Sequence, residues 1–256
     1  MLKRIISGII GLLILIIIVT KGGTFLNIGV LLISLIGLYE INGVLSKYKN
    51  EKLFMGFNYL LALAFFLIVS IDRIELTQLI LFVYFISVIS MLVFRENTTV
   101  LDVASTIFSG IYVVFFIYHI AFINDSKLIW LIFIIAFGTD TFAYFIGVNF
   151  GKRKLCPNLS PKKSIEGSIA GIIGSLVLTI IFVNYFNLGN ILKFSLLSII
   201  CSIMSQVGDL TASRIKRLAE VKDYGNIMPG HGGIIDRFDS ILFTAPIVYY
   251  YVTYLI

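Results

Sequence analysis

The chain has 256 residues, of which 59% are hydrophobic and only 13% charged, with a formal net charge of +6. Soluble domains carry about 25% charged residues, so this composition excludes an ordinary soluble domain and points to a polytopic membrane protein. The twenty basic residues are split among short loops with no aromatic-interleaved patch, which argues against nucleic-acid binding.

Apolar runs long enough to cross a hydrocarbon core of roughly 30 Å recur at 5–20, 25–46, 53–71, 76–94, 100–123, 128–149, 165–186, 190–212 and 234–256. They are continuous rather than alternating, which predicts helices and not barrel strands. The expected fold is all-α, a polytopic helical integral membrane protein with about nine transmembrane helices. The first run follows Lys3-Arg4 but lacks a small-residue cleavage site, so it reads as a retained span and not a signal peptide. With the N-terminus cytoplasmic, sixteen of the twenty basic residues fall inside, leaving Lys21, Arg73, Lys127 and Lys193 outside. Residues 1–124 then read as N-terminal transmembrane helices. Residues 125–256 read as a catalytic transmembrane region with cytoplasmic loops 150–165 and 213–235. The two cysteines, Cys156 and Cys201, give no disulfide framework. Of the isolated polar groups, Glu40, Glu75 and Asp102 lie near span ends and read as structural, as does His119 within a span.

Asp140 stands inside an apolar run with Tyr144 one turn further on the same face, marking a polar cavity. In the loop behind it, Pro157 and Pro161 exclude a continuous helix. Ser160-Pro161-Lys162-Lys163-Ser164 follows. Ser160 or Ser164 could cap the next helix, and the bases with hydroxyls at a helix N-terminus also describe a phosphate site.

The stretch from Asp209 to Asp239 gathers five of the fourteen acids in basic company. On a continuing helix Asp209, Ser213, Lys216 and Arg217 share one face, and Asp236 and Asp239 share another at the start of the last span. Oxygen ligands of this kind suit Mg²⁺, which takes one or two carboxylates plus water and phosphate. Glycines 230, 232 and 233 allow backbone to approach phosphates, with Lys216, Arg217 and Lys222 offsetting charge. The pattern is that of metal-assisted phosphoryl or nucleotidyl transfer.

These residues resemble the phosphatidate cytidylyltransferases (CDP-diacylglycerol synthases). The likeness is carried by Ser213-Arg214-Ile215-Lys216-Arg217, by Lys222-Asp223, and by Pro229-Gly230-His231-Gly232-Gly233-Ile234-Ile235-Asp236-Arg237-Phe238-Asp239. Gly208-Asp209-Leu210, Ser160-Pro161-Lys162-Lys163 and the stretch Asp140, Tyr144, Gly147, Gly151-Lys152 also look like family motifs. One departure is Ser164-Ile165-Glu166-Gly167, where the family usually has Thr-Trp-Glu-Gly.

The resemblance implies that CTP and phosphatidate are joined to CDP-diacylglycerol, with pyrophosphate released. It implies Asp209, Asp236 and Asp239 as Mg²⁺ ligands, with room for a second metal or a monovalent cation. The catalytic set it implies is Asp209, Lys216, Lys222, Asp223, His231, Asp236 and Asp239. The substrate-binding set is Asp140, Tyr144, Ser160, Lys162, Lys163, Ser213, Arg217, Gly232, Gly233 and Arg237. A homodimer is carried from the family. The compact chain suggests a prokaryotic inner membrane, with the site facing the cytoplasm. A cytidylyltransferase acting on an isoprenoid ether lipid is an alternative, since lipid tails leave no mark in these motifs. A transporter is a more distant one, without the internal repeats expected of it, and the Asp-Gly-x-x-Ala-Arg core of a CDP-alcohol phosphotransferase is absent.

Overall fold

A chain that lives in hydrocarbon must satisfy its backbone polar groups within each segment, and helices do this without a partner. The computed structural model describes residues 2–49, 53–157, 159–228, 230 and 232–256. Among them stand nine helices: α1 (Leu2–Lys21), α2 (Gly23–Lys49), α3 (Met55–Ser70), α4 (Thr77–Phe94), α5 (Val100–Tyr118), α6 (Ser126–Phe150), α7 (Ile165–Phe186), α8 (Ile191–Leu218) and α9 (Ile235–Leu255). The middle of α5, Gly110–Phe115, is a π-helical turn. Six helices are long and apolar enough to cross a membrane: α2, α4, α5, α6, α7 and α8. The apolar stretches of α1 and α3 are shorter, and α9 opens on Asp236, Arg237 and Asp239.

The all-α fold carries one short hairpin in a loop. The loop after α6 folds into an antiparallel hairpin, β1 (Lys154–Cys156) with β2 (Ser160–Ser164), Lys154 opposite Ser164 and Cys156 opposite Ser160. Pro157 lies between the strands, where a missing N–H costs no ladder bond.

The helices gather into two units, Met1–Asn124 with Ile215–Arg237, and Asp125–Arg214 with Phe238–Ile256. In the first, a buried polar node ties three helices together. The Asn58 amide donates to the Thr106 carbonyl (3.2 Å) and the Ser109 hydroxyl (2.7 Å), and the Tyr84 hydroxyl donates to Asn58 Oδ1 (2.6 Å). The π turn begins beside this node, and Gly110 leaves the space that the Tyr84 hydroxyl fills. Phe65 packs edge-on against Tyr118 nearby.

In the second unit α6 and α7 meet along small residues. Gly167, Gly171 and Gly174 of α7 lie against Ala143, Thr139 and Phe142 of α6, and a Cβ at Gly171 would stand 2.8 Å from the Thr139 carbonyl. Close backbone approach of this kind replaces the hydrophobic drive that lipid removes. Every fourth residue of α8 adds a polar contact. Thr179 donates to Ser198 (3.1 Å), Thr139 to Ser202 (2.8 Å), and Ser168 to Gln206.

Candidate active site

The charged groups fall into two sets, one in each unit. In the first unit the set is organised by how α8 ends. Glu220 takes a left-handed conformation (φ 55°), the Val221 N–H reaches the Lys216 carbonyl (2.9 Å), and the Glu220 N–H reaches the Arg217 carbonyl (3.2 Å). This double closure stops the helix and turns the chain back. It leaves Lys216 facing the start of α9, where its Nζ donates to Asp236 Oδ1 at 2.6 Å. The side chains are 15% and 4% exposed. The other oxygen of Asp236 accepts the N–H groups of Tyr224 (2.8 Å) and Gly233 (2.9 Å), and the Lys216 ammonium stands 5.4 Å over the Tyr224 ring. One carboxylate therefore holds the lysine and both sides of the turn. A Cβ on Gly232 (φ 86°) would press on that carboxylate.

A second carboxylate, read as structural in the sequence, is structural here and has its partners at this turn. Glu40, in α2 and 3% exposed, accepts the Ile234 N–H (2.9 Å) and the Ile235 N–H (3.0 Å). These are orphan donors at the N-terminus of α9, and a carboxylate there also complements the helix dipole. Gly225 and Gly233 lie flush against the Glu40 side chain, with no room for a Cβ. Arg217, Lys222, Asp223 and Arg237 are exposed around this clasp. Pro229 and His231 lie outside the described residues.

In the second unit Lys163, at the end of the hairpin, pairs with Asp209 Oδ2, and the Ser213 hydroxyl donates to Asp209 Oδ1 at 3.4 Å. Both members of the ion pair are about a quarter exposed, Lys163 at 26% and Asp209 at 25%. Gly208 brings α8 against α9 so closely that a Cβ would meet the Asp239 carbonyl. Beside it the Ser240 hydroxyl donates to Asp140 Oδ2 (3.1 Å), and the Ser240 N–H donates to Asp239 Oδ1 (2.8 Å). Asp140, Asp209 and Asp239 thus belong to one stretch of helix contacts within this unit. Tyr144 is 65% exposed on the α6 surface, Ser160 is half-buried, and Lys162 points to solvent.

The element that departs from the family's usual wording is explained locally. Ser164 is the N-cap of α7, its hydroxyl accepting the Gly167 N–H at 3.1 Å, which selects it over Ser160. Glu166 accepts the N–H groups of Lys152 (3.0 Å) and Arg153 (3.2 Å), and Gly167 nestles against α6. Ile165, in the aromatic position, is exposed. The remaining isolated groups are structural. Asp102 forms a capping box with Thr99, and His119 Nδ1 lies 2.7 Å from the Phe115 carbonyl.

Among the described residues no three His, Cys, Asp or Glu side chains form a ready metal group. An all-protein cage is foreign to Mg²⁺, which takes one or two carboxylates and completes its shell with water and phosphate. The oxygen-only, partly exposed Asp209 fits that requirement, with the Lys163 ammonium as its present counter-charge.

The whole chain has recognisable relatives. The profile of the Cytidylyltransferase family matches residues 2–255. The chain belongs to that family. Among cytidylyltransferase relatives, it is 38% identical over 257 residues to a phosphatidate cytidylyltransferase of Staphylococcus haemolyticus (strain JCSC1435), covering 96% of both chains. It is 34% identical over 264 residues to the protein of that name in Bacillus subtilis (strain 168), covering 98% of this chain and 97% of the other. A third of the same name, in Haemophilus influenzae (strain ATCC 51907 / DSM 11121 / KW20 / Rd), is 46% identical over 125 residues, 47% of this chain and 43% of that one.

Proposed function

We propose that this cytidylyltransferase joins CTP to phosphatidate, giving CDP-diacylglycerol and pyrophosphate. What carries the reading is likeness along nearly the full chain to relatives named for that reaction. In the proposed step an oxygen of the lipid phosphate attacks the α-phosphorus of CTP. The new P–O bond forms as the bond from the α-phosphorus to the bridging oxygen breaks, and pyrophosphate leaves. The attacking phosphate is already ionised, so no strong base is needed.

Positioning and charge neutralisation are then the main duties of the protein. Lys216, Arg217 and Lys222 hold nucleotide phosphates, with Arg237 and the Gly232-Gly233 backbone beside them. Lys216 waits on Asp236 and turns to phosphate when CTP arrives. Ser160, Lys162 and Lys163 clamp a phosphate, Ser213 steadies Asp209, and Asp140 and Tyr144 line the approach of the lipid headgroup. His231 and Asp223 complete the nucleotide contacts. Asp209, Asp236 and Asp239 are the proposed holders of Mg²⁺, which when bound would offset the charge of the phosphates.

Phosphatidate stays in the bilayer, since each buried methylene is worth about 0.8 kcal/mol, while CTP stays in water. A site at the cytoplasmic boundary serves both. The nine-span topology with an inside N-terminus, a prokaryotic inner membrane and a homodimer belong to this proposal. The test is pyrophosphate release from labelled CTP by purified protein in detergent, with phosphatidate and Mg²⁺, beside Asp209→Asn. Lipid-dependent release that falls at least about a hundredfold in the variant is expected. Wild-type protein that is folded and releases none would overturn the reading.

A further inference from the structure

The hairpin between α6 and α7 carries Lys163 to Asp209, yet its strands are only three and five residues long. A two-stranded ribbon of that size has little stability of its own. Its pairing is also irregular between Lys154 and Cys156. Something outside the ribbon must therefore fix where Lys163 stands.

The hairpin is held at its open end, where the chain leaves α6 and enters α7. The Ile165 N–H donates to the Arg153 carbonyl at 2.9 Å, and one side chain of α7 makes the remaining links. The Glu166 carboxylate accepts the Lys152 N–H at 3.0 Å and the Arg153 N–H at 3.2 Å. Both donors lie between Gly151, which closes α6, and Lys154, where the ladder begins. Bonds from main-chain N–H groups to a carboxylate are charge-assisted and stronger than neutral ones.

The backbones are close enough here for that grip to be felt. A Cβ on Gly151 would strike the Ser164 hydroxyl, and one on Gly167 would stand 2.9 Å from the Gly147 Cα. Ser164 is the N-cap of α7, and the residue before it is Lys163. From the carboxylate the path runs through the exit of α6 and the cap of α7 to the ammonium on Asp209.

We infer that Glu166 is a positioning residue: by gripping residues 152 and 153 it sets the hairpin so that Lys163 meets Asp209. The effect on turnover rests on the cytidylyltransferase reading, in which Lys163 clamps a phosphate, whereas the placement of Lys163 does not.

The test reads placement and turnover separately, on full-length protein in detergent. Placement is read as the rate at which an acetylating reagent modifies Lys163, followed by peptide mass spectrometry. Lys163, 26% exposed and held on Asp209, has restricted access to the reagent. Lys127, at the opposite end of α6, is the internal reference. Glu166→Ala should raise the Lys163 rate several-fold, toward that in Asp209→Asn, and leave Lys127 unchanged. Turnover of CTP should fall about tenfold or more, since small misplacements are costly to phosphate positioning. Glu166→Gln, keeping one acceptor oxygen, should fall between on both measures. Added to Lys163→Ala, Glu166→Ala should cost no more than about a further twofold, because it acts through the lysine. Unchanged Lys163 reactivity in a folded Glu166→Ala protein would overturn the inference. So would raised reactivity with undiminished turnover, or losses that simply add in the double variant. If Glu166→Ala does not fold, Glu166→Gln carries the same comparisons. If wild type releases no pyrophosphate from CTP, the reaction reading falls, and the labelling rates decide the placement alone.

Discussion

Glu40 holds two backbone N–H groups that lie 194 and 195 positions further along the chain. Hydrogen bonds to a charged group contribute about 1.5–3 kcal/mol each, so Glu40→Ala should cost several-fold more than a surface change. Expected are a lower melting temperature, faster hydrogen exchange at residues 233–236, and kcat reduced at least about tenfold. Glu40→Gln, keeping one acceptor oxygen, should fall between. Unchanged exchange in Glu40→Ala would remove the clasp from the account. Nothing local in the sequence pointed to this residue, because its partners are main-chain groups with no side-chain signature. Gly233 was legible as a close-approach glycine, yet the structure shows it making room for Glu40. Lys163, Lys216, Asp209 and Asp236 were legible because charge in an apolar chain is costly enough to stand out. Lys163→Ala should leave stability within about 1 kcal/mol, the pair being partly exposed. Activity should still drop at least about tenfold, read by CTP turnover beside a melting curve.

At the scale of elements, apolar runs located the helices well, and α7 begins and ends at the expected 165 and 186. The apolar run stops at 212, and the helix continues to Leu218, as the shared face of Asp209, Ser213, Lys216 and Arg217 requires. Hydropathy falls at Arg214, Lys216 and Arg217, but these are good helix formers, and the chain turns only where Glu220 goes left-handed. The hairpin of β1 and β2 was hidden for another reason. Two prolines excluded a helix without specifying the ladder that replaced it. The α6–α7 seam makes a sharper prediction. Gly171→Ala drives a Cβ toward the Thr139 carbonyl, and overpacking of this kind costs about 1–3 kcal/mol. Gly56→Ala meets nothing within 4 Å and should be neutral or slightly stabilising. Melting both in the same detergent checks the contrast.

For the molecule as a whole, the chain passes between its two units inside helices and not only through loops. Helix α8 starts in the second unit and ends in the first, and α9 does the reverse. Every recognisable motif lies after residue 125, which makes the C-terminal half look like a portable enzyme. The Glu40 clasp says otherwise. The turn that joins the helices of Lys216 and Asp236 is anchored on the second helix of the chain, so the half with the motifs lacks its own foundation. Residues 125–256 expressed alone should enter membranes and remain inert. Co-expression of residues 1–124 as a separate polypeptide should restore turnover, and the same fragment bearing Glu40→Ala should restore much less. The anonymous apolar half is then a genetic complement of the motif-bearing one, required in trans for a site whose charged motifs it does not itself carry.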